Sequence, residues 1–497
     1  MKTIFMLADR QKYRLLEIIP GFLVWTTLVA AVILSFVRPM WVIVFIILFD
    51  LYWLIRISYF VFWLVISWQR YRQAVKVNWL AKVKAIDRYQ RIHHLIFLPT
   101  YKEPVEVLRA TLEGLAKVNY DLKKIIVVLA GEERDQDRFL ENADILRKEF
   151  GSQFSKLLVT VHPQGLPGEL PGKGSNTNFA GHRAQEYIDS QNIPYEDVIV
   201  SNFDCDTIVH QQYFSYLAYH YLTVDKPTQK SYQPLALYNN NIWESPALTR
   251  VVYYSTTFWL LTELARPERL YTFSSHSMGL KALVDIGFWQ KDIVTEDSRI
   301  CLQGMIRYHG DYSVYPMYIP VSMDTAYCGN FWQTIKNQYK QQRRWAYGVE
   351  NFPYTVWNML PDKQIRFWVK FRYLWNQLEG VYSWATAPIL MFILGYLPLA
   401  VADAGIKATV IAQNTPFILE SLMRVAMIGI FFSAIISTVL LPVRPNGHGR
   451  WKWLVMIIQW LLFPICMIIF GAIPAIDAQT RLMLGRYLGF NVTIKKR

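Results

Sequence analysis

The chain has 497 residues, 53 % hydrophobic and 15 % aromatic, with the apolar excess gathered at its two ends. That balance excludes a wholly soluble protein and leaves room for one soluble domain of ordinary size beside several membrane helices. The net charge of +14 suits the basic bias of cytoplasmic loops, or attraction to phosphate-bearing substrates and anionic lipid, and requires no nucleic acid.

Residues 1–19 are mixed and charged, carry no cleavable signal, and read as an N-terminal cytoplasmic segment. Pro20 to Val37 is apolar throughout and ends at Arg38-Pro39; a second apolar run follows from Met40 to Trp68. Each is long enough to cross about 30 Å of hydrocarbon, so residues 20–68 form a transmembrane hairpin. Arg70, Arg72, Lys76, Lys82 and Lys84 just beyond it place that side in the cytoplasm. Asp50 and Arg56 within the second run are costly in lipid and must face a protein interior, an interface or a polar path.

From residue 90 to about 350 the character changes. Short apolar runs at Leu95–Leu98, Ile125–Leu129, Leu157–Val161 and Val198–Val200 predict strands, and Val105 to Leu115 predicts an amphipathic helix between the first two. Continuous apolar strands alternating with helices argue for a mostly parallel sheet covered on both faces, with the ligand at the carboxyl ends of the strands. Residues 351–380 predict interfacial helices, because bases and aromatics mix in helical rhythm along 363–379. Within 381–475, three apolar segments follow, at about 381–401, 417–442 and 453–475; residues 476–497 form an interfacial helix and a tail. Pro464, Gly471 and Pro474 lead us to expect the third segment to dip and return. The four cysteines, Cys205, Cys301, Cys328 and Cys466, are scattered and suit reduced thiols rather than a disulfide scaffold.

The polar signatures fall just after predicted strands. Asp204-Cys-Asp206 offers two carboxylates one residue apart, a seat for a hard divalent cation, Mg2+ or Mn2+, that would neutralise a departing diphosphate. In Thr295-Glu296-Asp297, Asp297 is the candidate base for an attacking hydroxyl, with Glu296 second, and Thr295 suits a helix cap. Gln341, Arg344 and Trp345 lie in a basic helical stretch: a guanidinium grips diphosphate oxygens, and an indole face suits a sugar. Lys173 and Asn178, after a loop rich in Pro and Gly, are candidates for nucleotide phosphate or base, and Glu132 with Glu133 for base or ribose. His276 is a candidate contact of the acceptor, although a lone histidine is more often structural.

These signatures together resemble the membrane-embedded family 2 glycosyltransferases of the processive kind: cellulose, hyaluronan and chitin synthases. The resemblance runs from about residue 93 to the C-terminus and implies a GT-A-like α/β nucleotide-sugar transferase domain inserted between transmembrane and interfacial helices. It implies metal and diphosphate binding by Asp204 and Asp206, a base at Asp297, and diphosphate and acceptor contacts from Gln341, Arg344 and Trp345. Pro99, Thr100, Tyr101 and Glu103 match the strand end that meets the nucleoside, and Lys173 with Asn178 matches a KAGNLN-like element. Phe490, Val492, Thr493 and Lys495 are similar to the FxVTxK gating loop of cellulose synthase. The chain departs from the family where Ala130-Gly131-Glu132-Glu133 replaces the usual Asp-Asp or Asp-Gly, and where Thr272–Gly279 lacks a Gly-Ser or Gly-Thr start.

The expectation is an inverting, metal-dependent enzyme of a bacterial-type cell membrane, with its catalytic domain in the cytoplasm. It would transfer sugar from a nucleoside diphosphate sugar, foremost a UDP-sugar, to a growing polysaccharide, with export through its own helices as an extension. The alternatives are a non-processive transferase acting on a lipid carrier and, in a different class, a catalytically silent membrane scaffold or secretion partner.

Overall fold

The computed structural model describes residues 7–445, 449 and 451–489; Phe490, Val492, Thr493 and Lys495 lie outside the described residues. Helix α1 spans Leu7–Val37 and α2 spans Pro39–Ala74, with Arg38 alone between them. The charged N-terminal segment is therefore the beginning of the first membrane-length helix rather than a separate piece. Its leucines, arginines, lysine and glutamate are good helix formers, and the helix runs on through Pro20. Arg14 also fastens it, donating to the Leu482 carbonyl at 2.6 Å. The far end of α2 runs past residue 68 to the α/β unit, where Arg70 Nη1 donates to the Tyr318 hydroxyl at 2.8 Å.

The α/β unit is built on eight strands: β1 His93–Pro99, β2 Ile125–Glu132, β3 Lys156–His162, β4 Val198–Asn202, β5 Ile208–Val209, β6 Lys230–Leu237, β7 Ser277–Gly279 and β8 Ser313–Ser322. They join in the order β3-β2-β1-β4-β7-β6-β8-β5. The first four in that order are parallel, as are β6 and β8, while the short β7 runs antiparallel to both its neighbours. Every residue of β2 and β4 is buried, which is why their sequences read as unbroken apolar runs rather than alternating ones. Five helices position the site: α3 Val105–Ala116, α4 Lys173–Ser190, α5 Ala247–Leu264, α6 Glu296–Arg307 and α7 Phe331–Ala346.

Beyond α7, no break in the backbone marks the boundary expected at residue 380. α8, Phe367–Phe392, is one continuous helix that crosses that boundary. The composition changes from basic-aromatic to apolar there, but no residue breaks the backbone. The chain then bends by 52° into Leu397–Val401. α9 spans Val410–Val439, and α10 spans Lys452–Met483. Four of the described helices are long and apolar enough to cross a membrane, or five if the bent pair counts as one span.

The expected dip and return in 453–475 is instead a local distortion of α10. A 3-10 stretch at Gln459–Leu462 and a π stretch at Met467–Ala472 absorb the prolines while the helix continues. α10 lies along the α/β unit for most of its length. Trp453 packs on Trp243 (5.4 Å between rings), Arg250 Nε donates to Gln459 Oε1 (2.6 Å), and Arg343 pairs with Asp477 (2.9 Å).

Candidate active site

The first two strands deliver one wall. After β1, Thr100 Oγ1 and the Tyr101 amide both donate to Glu103 Oε2, at 2.8 and 2.6 Å. Burial raises the Glu103 carboxyl above its ordinary range, and those two hydrogen bonds work against the shift. After β2, the buried Glu132 accepts from Arg134 Nε at 2.9 Å, and the Arg134 guanidinium lies 4.2 Å over the Tyr101 ring. Gly131 is required between them, since a Cβ there would fall 2.2 Å from the Phe139 ring. Glu133 turns outward to accept from the Gln164 amide at 2.7 Å, tying down the Pro/Gly loop. Arg134 went unnoticed in the sequence, where only its place two residues after Glu132 marks it.

The centre forms where β4 ends and two helices begin. Lys173 opens α4, and its Nζ donates to Asp204 Oδ1 at 2.8 Å and to Asp297 Oδ1 and Oδ2 at 3.0 and 2.9 Å. Burial acts to lower the Lys173 ammonium, but the carboxylates of Asp204, Asp297 and Glu296 outweigh it and hold the group above its ordinary value. Asp206 is fully buried, and its Oδ2 accepts the Asp324 amide at 2.7 Å. Glu296 and Asp297 lie in the first turn of α6, where carboxylates complement the helix dipole. Burial first, and then the neighbouring Asp297, raise the Glu296 carboxyl. Thr295 does not cap the helix with its side chain; its hydroxyl donates to Glu350 at 2.6 Å instead. Gly174 permits the close approach of α4 and α6, because a Cβ there would stand 2.8 Å from the Gln290 carbonyl and 3.3 Å from Glu296.

Two expected residues are placed differently. Asn178 faces the loop before α6, donating to the Trp289 carbonyl at 2.7 Å, and does not join Lys173 among the carboxylates. His276 is fully buried: its Nδ1 donates to the Phe273 carbonyl at 3.0 Å and stands 3.7 Å from Asp297 Oδ1. It backs Asp297 from within the core and presents no surface to an acceptor. Its position beside β7, an inner strand of the sheet, is the reason.

The third wall is α7. Gln341 Oε1 accepts from the Tyr253 hydroxyl at 2.6 Å, and that hydroxyl accepts the Ala326 amide at 2.7 Å. Ala326 lies two residues from the Asp324 amide that holds Asp206, so Tyr253 links the carboxylate pair to α7. Neither Tyr253 nor Asp324 carries a local sequence signal; both are found only through contacts distant in the chain. The Trp345 ring lies 5.9 Å from Tyr238 and 6.3 Å from Tyr253. The charge of Arg344 acts on Glu296, lowering its carboxyl against the burial effect. Near the end of the described chain, Leu488 packs in one hydrophobic cluster with Val294, Ala346, Tyr347 and Leu170, all beside these walls.

Among the described residues no group of three or more His, Cys, Asp or Glu is arranged around a metal position. Asp204 and Asp206 fit a hard divalent ion of the kind that takes one or two carboxylates and completes its shell with substrate phosphate oxygens and water. The Lys173 ammonium, 2.8 Å from Asp204 Oδ1, already pairs one of these carboxylates with a positive charge.

No curated protein matches the sequence. Among solved structures, similarity extends to a mannosyltransferase of Pyrobaculum calidifontis, PcManGT, in complex with GDP-Man and Mn2+, at 12 % identity and a TM-score of 0.42, over 75 % of this chain and 99 % of that one. It extends also to S. aureus TarS 1–349 in complex with UDP-GlcNAc, at 13 % identity and a TM-score of 0.35, over 72 % of this chain and 95 % of that one. A family model described as glycosyl transferase family group 2 matches residues 199–475, more than half of the chain, and the protein belongs to that family.

Proposed function

We propose that this protein is an integral membrane, inverting glycosyltransferase that moves a sugar from a nucleoside diphosphate sugar, foremost a UDP-sugar, to a growing polysaccharide. One observation carries the reading. Lys173, Asp204 and Asp297, remote in sequence, meet within 3.0 Å, and Asp206, two residues on from Asp204, is held by the Asp324 amide. Asp204 and Asp206 would hold Mg2+ or Mn2+ together with the donor diphosphate; such an ion supplies charge neutralisation for the leaving group.

The remaining work falls to this chain's own side chains. Asp297 accepts the proton of the acceptor hydroxyl as its oxygen bonds to the anomeric carbon. The bond from that carbon to the diphosphate oxygen breaks, and its electron pair leaves with the nucleoside diphosphate. Lys173 fixes the spacing of the two carboxylates, and Arg344 grips diphosphate oxygens. Tyr101, Glu132 and Arg134 form the wall that receives the nucleoside.

The basic residues at and beyond the end of α2 support a cytoplasmic side for this unit. The contacts of α10 support the same side for the C-terminus, since Gln459 and Asp477 both bond to the α/β unit. By their resemblance to a gating loop, Phe490, Val492, Thr493 and Lys495 would close the donor site and exclude water. Export is supported by polar groups between α2 and α8, where Arg56 pairs with Glu379 and Tyr52 donates to Glu379 at 2.9 Å.

The test uses the purified full-length protein with individual nucleotide sugars and Mg2+ or Mn2+, following nucleoside diphosphate release and sizing the product. Polymer supports the reading, single-sugar lipid replaces it with the lipid-carrier alternative, and no turnover of any donor rejects both. Asp297→Asn should lower turnover about 10²- to 10⁴-fold while donor binding survives; full activity in that variant ends the assignment of the base.

A further inference from the structure

The 30 residues of α9 include two charged ones, Glu420 and Arg424. At 1.5 Å per residue, Arg424 stands roughly 20 Å from either end of the helix, with Glu420 one turn away. In a membrane span that position lies within the hydrocarbon, where ionised side chains are rare and face the bundle interior or a polar cavity. These two face outward. Their side chains are 58 % and 63 % exposed, and Arg424 Nη2 donates to Glu420 Oε1 across the turn. A guanidinium carries five N–H donors in a fixed fork, and hydrocarbon accepts from none of them. The covered side of α9 is elsewhere: Thr415 and Leu419 are buried, and a Cβ at Gly429 would stand 3.3 Å from Val61 and 3.4 Å from Ile57 of α2. The outward side is periodic. Phe417, Glu420, Arg424, Met427 and Phe431 recur at alternating three- and four-residue spacing, all exposed, which is the seam of a helix that packs on another helix.

We propose that this face of α9 docks a second copy of the same chain, in a dimer whose two-fold axis runs along the membrane normal. The inference rests on the membrane reading above. Two copies inserted in the same direction bring α9 against α9 in parallel, so that each seam position meets its own counterpart. Arg424 then lies one turn from Glu420 of the partner subunit, and the reverse contact follows by symmetry. Four charges alternate in sign and sum to zero, and each guanidinium is shared between two carboxylates. Charge complementarity selects this occupant: the face carries one charge of each sign, so it complements itself. A different helix would have to bring the same two charges to the same depth. Phe417, Met427 and Phe431 supply the apolar contact on either side of the charges.

Phe431→Cys and Val425→Cys, each in the full-length protein in isolated membranes, test this by oxidative cross-linking. Both positions are exposed, but only Phe431 lies on the seam. Phe431→Cys should give a disulfide-linked band of twice the chain mass, several-fold stronger than that of Val425→Cys. It should also exceed that of the unaltered chain, whose own cysteines set the background. Glu420→Arg and Arg424→Glu, each added to Phe431→Cys, place four like charges at the seam and should each lose the band. Expressed together under different tags, the two variants should recover it between unlike copies. A band from Phe431→Cys no stronger than that from Val425→Cys overturns the dimer, and this comparison needs neither charge variant to insert. Cross-linking to a polypeptide of another size overturns it in favour of a separate partner. Retention of the band in both charge variants overturns the pairing across the axis. A chain released from membranes by alkaline washing overturns the membrane reading instead, so the two failures are distinct.

Discussion

Lys173→Met tests the centre of the site without relying on activity. The Lys173 side chain is 9 % exposed, and its ammonium makes one contact to Asp204 at 2.8 Å and two to Asp297 at 2.9 and 3.0 Å. The two Asp297 contacts share one carboxylate, so two charged partners are lost. Removing one member of a buried charged group costs about 3–5 kcal/mol, because the partners stay behind uncompensated. Asp204, Asp297 and the buried Glu296 would then face one another with no cation between them, while methionine keeps most of the apolar stem. A loss of that size corresponds to a melting temperature lower by on the order of 10 °C. Mn2+ should restore more of the melting temperature in the variant than it adds to wild type, since it brings the missing charge to the folded state alone. The assay is thermal unfolding of the full-length protein in detergent, with and without Mn2+. A variant that melts with wild type, or that gains less from Mn2+ than wild type does, refutes the reasoning. If Lys173 served only to meet diphosphate, the stability of the ligand-free protein would not depend on it.

Two further outcomes follow from the same geometry. Burial and Asp297 raise the Glu296 carboxyl above its unfolded value of 4.5, so the folded state keeps a proton that the unfolded state releases. The associated stability is full below that value and is lost as pH rises through the folded one. The stability gain of Glu296→Gln over wild type should therefore grow between about pH 5 and about pH 9, and a gain that stays constant across that range contradicts the assignment. Tyr253→Phe keeps the ring but strands the buried Ala326 amide and Gln341 Oε1, which should cost about 2–4 kcal/mol in chemical unfolding. A cost below about 0.5 kcal/mol would mean that the hydroxyl does not bear on the link between Asp206 and α7.

Much of this arrangement was legible because it depends on local pattern. β2 and β4 are buried on both faces, so their sequences are continuous apolar runs, and Asp204 and Asp206 stand out as the first polar pair past β4. Lys173 could be read because a helix start after a Pro/Gly loop is itself a local event. What escaped was decided by tertiary partners. Asn178 and His276 have the chemistry of binding residues, but each spends it on a backbone carbonyl, Trp289 and Phe273. Tyr253 and Asp324 look ordinary in sequence and matter only because the fold brings a hydroxyl to Gln341 and an amide to Asp206. The boundary read at residue 380 has no counterpart in the backbone, because composition changes there from basic-aromatic to apolar while α8 continues without interruption.

The division into a soluble unit and membrane helices also overstates their independence. A single hydrophobic core contains Leu95 to Leu98 of β1 and Ile125 to Ala130 of β2. The same core includes Leu64 and Ala74 of α2, Ile436 of α9, and Met456, Trp460, Cys466 and Phe470 of α10. α7 is fastened on one side to α5 through Tyr253 and on the other to α10 through Arg343 and Asp477. The helix that carries Gln341, Arg344 and Trp345 thus takes its position from the α/β unit and from a membrane-length helix at once. Excising residues 90–350 would expose the faces of β8, α5 and α7 that α2 and α10 cover, and would leave Arg343 without Asp477. The site therefore takes its shape from the α/β unit and the long apolar helices together.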